Sequence, residues 1–191
     1  MSEATRSFDF RNPSRLPIEV ESGLLDWQAR TCRLMSHKWS DPLAVTTSWE
    51  TSPPEAVSCA KGDLPEHFAV ARVSLAGVSQ TTLLGMPSEL AVALVQTALG
   101  QSVEALDEPR ELTSIELSIL EVFFGHLIDA MNEGGGGVGY PECTFTQFDP
   151  QPLMLQIFPA ESELNLLQFH VTAPFGTSAI RWVWPGSVAE E

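Results

Sequence analysis

Positive charge is scarce in this sequence, cysteine is sparse, and no apolar run is long. Lys and Arg total 10 against 25 Asp and Glu, a net charge of −15. The scarcity is uneven. Up to Arg72 there are 8 bases and 10 acids, whereas from Val73 onward Arg110 and Arg181 alone face 15 acids. Such a field repels phosphate backbones and anionic lipid surfaces, so nucleic acid is not the expected partner and a protein with a basic face is. The three cysteines, Cys32, Cys59 and Cys143, lie far apart, which leaves no legible disulfide framework or zinc site. They read as small buried hydrophobes of a reducing compartment. The longest strictly apolar run covers residues 90–95, far short of the ~20 residues of a membrane span. Met1 to Asp9 carry charge and lack the apolar centre of a signal peptide, so the expected placement is cytoplasmic.

What is present is a globular composition. The 191 residues are 43% hydrophobic, enough for one domain with a buried core. Residues 1–20 hold Pro13 and Pro17 without sustained periodicity, and read as an extended arm before a domain spanning 21–186 and a tail at 187–191. A helix is expected from Glu21, with Leu24, Leu25, Gln28, Cys32 and Met35 down one side, ended by Asp41-Pro42. A strand over 43–49 follows, then a surface loop over 51–65 with three prolines. Strands are expected at 68–75 and 80–85 around a turn near Gly77. Ser88 has the form of an N-cap for a helix over 89–99, apolar on nearly every face and stopped by Gly100. After an acidic connector at 101–112, Thr113 and Glu116 form a capping box for a helix running to about Asn132. Its polar stripe is Ser118, Glu121, Gly125, Asp129 and Asn132, and Val122 counts among its core positions. Gly134 to Gly137 then break the pattern as a helix-to-strand linker. Strands are expected near 142–148, 153–158, 164–173 and 178–184, the last with Ile180, Trp182 and Trp184 on one face. Each half thus offers a long helix, a strand, a loop and a run of strands, which fits a quasi-symmetric α/β layered domain with a mixed or antiparallel sheet.

Local chemical motifs are missing. Gly134, Gly136 and Gly139 formally satisfy GxGxxG, but they follow a helix and lead into Tyr140-Pro141, the reverse of a dinucleotide fingerprint. His37, His67, His126 and His170 show no metal-ligand spacing, and no GxSxG elbow occurs. The expectation is a protein without cofactor or metal that is not an enzyme.

Three segments carry a resemblance. Residues 8–15, with Asp9, Phe10, Arg11, Pro13 and Arg15, resemble the "DFRRPDR" stretch before the middle domain of the FliM family of flagellar motor-switch proteins. Arg110 to Glu116 resembles the family's "R-x-x-T-x-I-E" helix opening, and Ile180 to Pro185 its apolar strand ending in proline. Order and spacing agree over roughly residues 8–185. The resemblance implies a CheC-like pseudo-twofold α/β/α sandwich at the flagellar basal body, in the cytoplasmic C-ring on the inner face of the cell membrane. The expected partners are FliG-like and FliM- or FliN-like switch proteins, with self-association in a ring. It also implies a FliG-contacting loop at Gly100, Gln101 and Ser102, although Gln101 replaces the family's second glycine, Ser102-Val103 finish the stretch, and Gln101 and Val103 would be strained if successive positions needed positive φ. The family's CheY-binding string has no counterpart in Met1–Ser7, and a FliN-like domain is not expected after Pro185. The alternatives are a CheC-like response-regulator phosphatase or binder and a type III secretion sorting-platform protein. Against the phosphatase, Glu121 matches the CheC signature while Leu117 and Phe124 stand where its Asp/Ser and Asn belong.

Overall fold

The computed structural model describes residues 16–58, 67–136, 140–149, 158 and 162–186. The arm residues Asp9, Phe10, Arg11, Pro13 and Arg15, Cys59, and all but residue 158 of the strand expected at 153–158 lie outside them.

Helix α1 (Ile18–Lys38) begins three residues before the expected start, after Pro17, and carries Glu19 and Glu21 in its first turn and His37 and Lys38 in its last, as the helix dipole favours. Its buried residues, Leu24, Trp27, Gln28, Thr31, Cys32 and Met35, recur at three- and four-residue steps and form one stripe. Asp41-Pro42 does not end helical structure. Both residues sit in a short second helix, α2 (Ser40–Leu43), whose first turn tolerates a proline because the missing N–H has no partner there anyway. Ala44, at φ 52°, turns the chain out of it, so the following strand, β1 (Ser48–Thr51), starts five residues later than expected.

The loop expected at 51–65 contains a strand, β2 (Glu55–Ser58), which pairs antiparallel with the same neighbour as β1. Strand β3 (Phe68–Leu75) has the expected bounds, turns at Gly77 (φ 83°), and returns as β4 (Thr82–Pro87), two residues beyond the expected window. Helix α3 (Ser88–Ala98) and helix α4 (Ser114–Gly135) follow, then β5 (Cys143–Asp149), β6 (Glu163–Ala173) and β7 (Gly176–Pro185).

Among the described residues all strand pairs are antiparallel, and the sheet order is β1-β6-β7-β4-β3-β5 with β2 also on β6. Exchanging β1 with β5, β3 with β6 and β4 with β7 maps this order onto its own reverse. Each half therefore contributes a long helix, an edge strand and a hairpin, and the two hairpins meet at β4–β7. This is the pseudo-twofold, antiparallel form of the expected fold.

Among the described residues, α1, α3 and α4 share one core with one face of the sheet. Trp27 lies at its centre, stacked on Tyr140 at 4.6 Å and edge-on to Trp182 and Trp184, and its Nε1 donates to the Met131 carbonyl at 2.7 Å. Ile180, Trp182 and Trp184 share this face, as the alternation predicted. Trp182 Nε1 donates to Thr82 Oγ1, which donates to the Val73 carbonyl, so the central strands are cross-tied through buried polar groups. The opposite face carries a smaller cluster of Val70, Leu83, Phe158, Leu164 and Val183. There the Arg181 guanidinium lies over the Phe68 ring at 5.5 Å, and Arg72 binds Asp149.

The glycine run is not simply a linker. Gly134 and Gly135 are helical and buried, where α4 crosses α1. A Cβ on Gly134 would stand 3.1 Å from Thr31 Oγ1 and 3.2 Å from the Thr31 backbone nitrogen; one on Gly135 would stand 3.2 Å from Trp27 Nε1 and from Tyr140 Cβ. A Cβ at either position would be tighter than ordinary contact and would push its neighbours back by a few tenths of an ångström. Gly125, by contrast, would place a Cβ in open space.

The capping box at Thr113 is formed: its Oγ1 accepts from Glu116 N–H, and the Glu116 carboxylate accepts from Thr113 N–H at 2.8 Å. Arg110 also binds that carboxylate, at 3.0 Å through Nη1. Together Arg110 first, then Thr113, hold the Glu116 carboxyl down at about 2 against its ordinary 4.5.

Two outcomes follow. Gly134→Leu should lower stability by about 1–3 kcal/mol, at about 2–4 °C of melting temperature per kcal/mol, while Gly125→Ala should raise it by about 0.5–1 kcal/mol. Equal effects in thermal melts would contradict the close crossing. Because the Glu116 pKa is depressed on folding, its stabilisation is complete above pH 4.5 and disappears as pH falls towards 2. Arg110→Ala should therefore cost about 1 kcal/mol at pH 7, the size of an exposed ion pair, and the gap from the parent should close between pH 4.5 and 2. Denaturant melts across that range read it directly.

Candidate interaction site

The expected contact loop begins where α3 ends. That helix buries Leu90, Ala91, Val92, Ala93, Leu94 and Val95, so its axis is fixed by packing on almost every side. Ser88 is not its N-cap; that position is Pro87. The Ser88 hydroxyl instead accepts from the Arg110 backbone N–H at 3.1 Å, joining the start of α3 to the connector that returns from its end.

At the C-terminal end, Leu99 caps the helix and Gly100 takes φ 82°. Gly100 N–H donates to the Thr97 carbonyl and Gln101 N–H to the Gln96 carbonyl, both at 2.9 Å. These two bonds make a Schellman motif with glycine at the left-handed position. Gly100 is therefore a helix cap as well as a loop residue. Neither Gln101 nor Val103 has a positive φ, so the strain expected from them does not arise: a single left-handed residue closes this turn. Leu99, Gly100, Gln101 and Ser102 are all exposed.

Residues 101–112 run back across the molecule as a strap. Val103, Leu106 and Leu112 pack against the core, and Leu106 fills the space beside Gly176, where a Cβ would meet its Cγ at 3.2 Å. Gly176, at φ 138°, lies in the β6–β7 turn. The loop is thus held by a buried helix on one side and a packed strap on the other. Its surroundings are acidic: Glu104, Asp107, Glu108 and Glu111 are exposed, and Arg110 is engaged by Glu116.

Nothing in this region resembles catalytic chemistry. Glu121 is exposed, but Phe124 is fully buried against Phe145 and Phe148, with ring centroids 6.3 and 5.1 Å away. The position aligned with the signature amide points into the core and cannot meet a phosphoryl group at the surface. Among the described residues, no group of three or more His, Cys, Asp or Glu could hold a metal ion. Cys32 and Cys143 are buried free thiols, pushed up to about 12 by desolvation, which makes them poor nucleophiles at neutral pH. Val122, expected in the core of α4, is 57% exposed, and so is Ile115 at 72%. Sequence periodicity could not separate Val122 from the core residues beside it, because the apolar arc of α4 is wider than the face it buries.

No protein-family model matches the sequence, and no curated protein matches it. Solved structures do. A chain of the FliG–FliM complex from H. pylori superposes with a TM-score of 0.82 at 15% identity, covering 92% of this chain and 100% of that one. The FliM middle domain from H. pylori gives 0.78 at 14% identity, covering 92% and 97%. Thermotoga maritima FliY gives 0.68 at 16% identity, covering 92% and 94%. With identity this low the agreement speaks to backbone, and on that ground the chain has the fold of the FliM middle domain.

Proposed function

We propose that this protein is a flagellar motor-switch component, an assembly module of FliM type that acts in the C-ring by protein–protein contact, in motility and chemotaxis. The observation that carries the reading is the likeness to FliM structures over 92% of this chain, one of them solved with FliG, joined to an exposed turn at Gly100 held on both sides. Gly100, Gln101 and Ser102 form the FliG-type contact, and the arm with Asp9, Phe10, Arg11, Pro13 and Arg15 precedes the domain. FliN-like proteins and further copies of the chain are the other partners. The role is non-catalytic: the burial of Phe124 supports this, since it removes the amide position of the phosphatase alternative. The proposed place is the inner face of the cell membrane at the basal body. No helix among the described residues is long and apolar enough to cross a membrane.

Affinity capture of the tagged chain from cells that make it should recover FliG-like or FliN-like proteins. Recovery of a CheY-like regulator alone would shift the reading to signalling, and recovery of none would leave only the fold. Gly100→Val forces a β-branched residue into left-handed backbone and should weaken FliG recovery at least tenfold. Gly100→Asn, which tolerates that conformation, should retain it. Equal recovery with both variants would remove the loop from the interface.

A further inference from the structure

The geometry points to a second docking surface, on the outer face of α4, for a basic amphipathic helix of a partner protein. Ile115, Ser118, Val122, Gly125 and Asp129 follow one another at steps of three, four, three and four, the spacing of a helix–helix seam. Ile115 and Val122 are 72% and 57% exposed, while Ser118 and Gly125 put small residues between and after them. Two apolar knobs about 10 Å apart thus alternate with two notches.

Gly125 is the telling residue. In mid-helix a glycine destabilises by about 1 kcal/mol relative to alanine, so an internal reason is expected. None is visible: a Cβ there meets nothing within 4 Å, and φ is not positive. Gly134 and Gly135 on the same helix do have internal reasons, in their contacts with α1. The notch at Gly125 opens outward, where the large side chain of an approaching helix would fill it.

Charge selects the occupant. Helix α4 contains no Lys or Arg, and Glu121 and Asp129 are exposed along the seam, with Glu111 just before the helix. The nearby Arg110 is bound to Glu116. A partner helix with large apolar residues seven apart and Lys or Arg beside them satisfies both the knobs and the carboxylates. This surface does not include the Gly100 turn, and the inference stands without the motor-switch reading.

The test uses the full chain and two fluorescent peptides of about 20 residues. Both carry Leu at seven-residue spacing; one has Lys at the flanking positions and the other Glu. The Lys peptide should bind by anisotropy, more weakly as salt rises, and the Glu peptide should not. Gly125→Leu, which fills the notch without touching the interior, and Val122→Asp should each weaken binding at least tenfold, and Gly125→Leu should leave the melting temperature unlowered. The proposal is overturned if the Lys peptide does not bind, if both peptides bind alike, or if Gly125→Leu binds as the parent does. It is equally overturned if light scattering shows a dimer that Gly125→Leu dissolves, since the face would then belong to a second copy.

Discussion

The close crossing of α1 and α4 is the constraint on which the rest of the structure depends. A helix pair at ordinary separation would leave Trp27 without the carbonyl of Met131, and its ring without the position between Tyr140 and the Trp182–Trp184 pair. Gly134 and Gly135 remove the two side chains that would crowd it. Gly23 does the same for Tyr140, whose hydroxyl occupies the space a Cβ would need. Lys38 and Glu133 add an ion pair at 3.4 Å, partly exposed and hence a minor contribution. Because the first helix of each half meets the other here, the crossing also joins the two halves above the β4–β7 pair that joins them in the sheet.

The pseudo-symmetry makes the exception informative. The first half ends in α3, and the described residues after β7 hold no equivalent helix. The strap at 101–112 has to travel from the end of α3 to the start of α4, and it does so by packing Leu106 beside Gly176 and binding Arg110 to Ser88. An exposed turn held at both ends loses little conformational entropy on binding, so it suits recognition better than a free loop. The asymmetry of the fold and the candidate contact are therefore the same feature.

Much of this was legible in the residues. Strand β3, the capping box at Thr113 and Glu116, the stop at Gly100 and the shared face of Ile180, Trp182 and Trp184 rest on local chemistry and were found where expected. The order of elements in each half was readable too, and with it the pseudo-twofold plan. What was missed depends on partners distant in sequence. Strand β2 follows Pro53 and Pro54 and exists because β6 offers it a ladder, which no window around 55–58 records. Ser88 had cap chemistry, but Arg110 claims its hydroxyl. Gly134 and Gly135 looked like breakers because only the approach of α1 makes them useful inside a helix. At the candidate turn, Gly100 was legible in the sequence, whereas the relaxed backbone of Gln101 depends on how the turn closes.

Glycines at three places in this chain answer to three different forces, and the comparison separates inside from outside. Gly100 is set by torsion: it alone closes the end of α3, and its missing side chain would touch nothing. Gly134 is set by contact: its backbone is helical, and a side chain would meet α1. Gly125 is set by neither, yet it occupies a helix that alanine would favour. On its face the apolar residues Ile115 and Val122 are mostly exposed, and the carboxylates of Glu121 and Asp129 lack a Lys or Arg on their own helix. A notch, two knobs and two charges left unexplained by the interior share one side of one helix. A single complementary surface outside the chain would explain all of them together, whereas separate accounts would need a different accident for each.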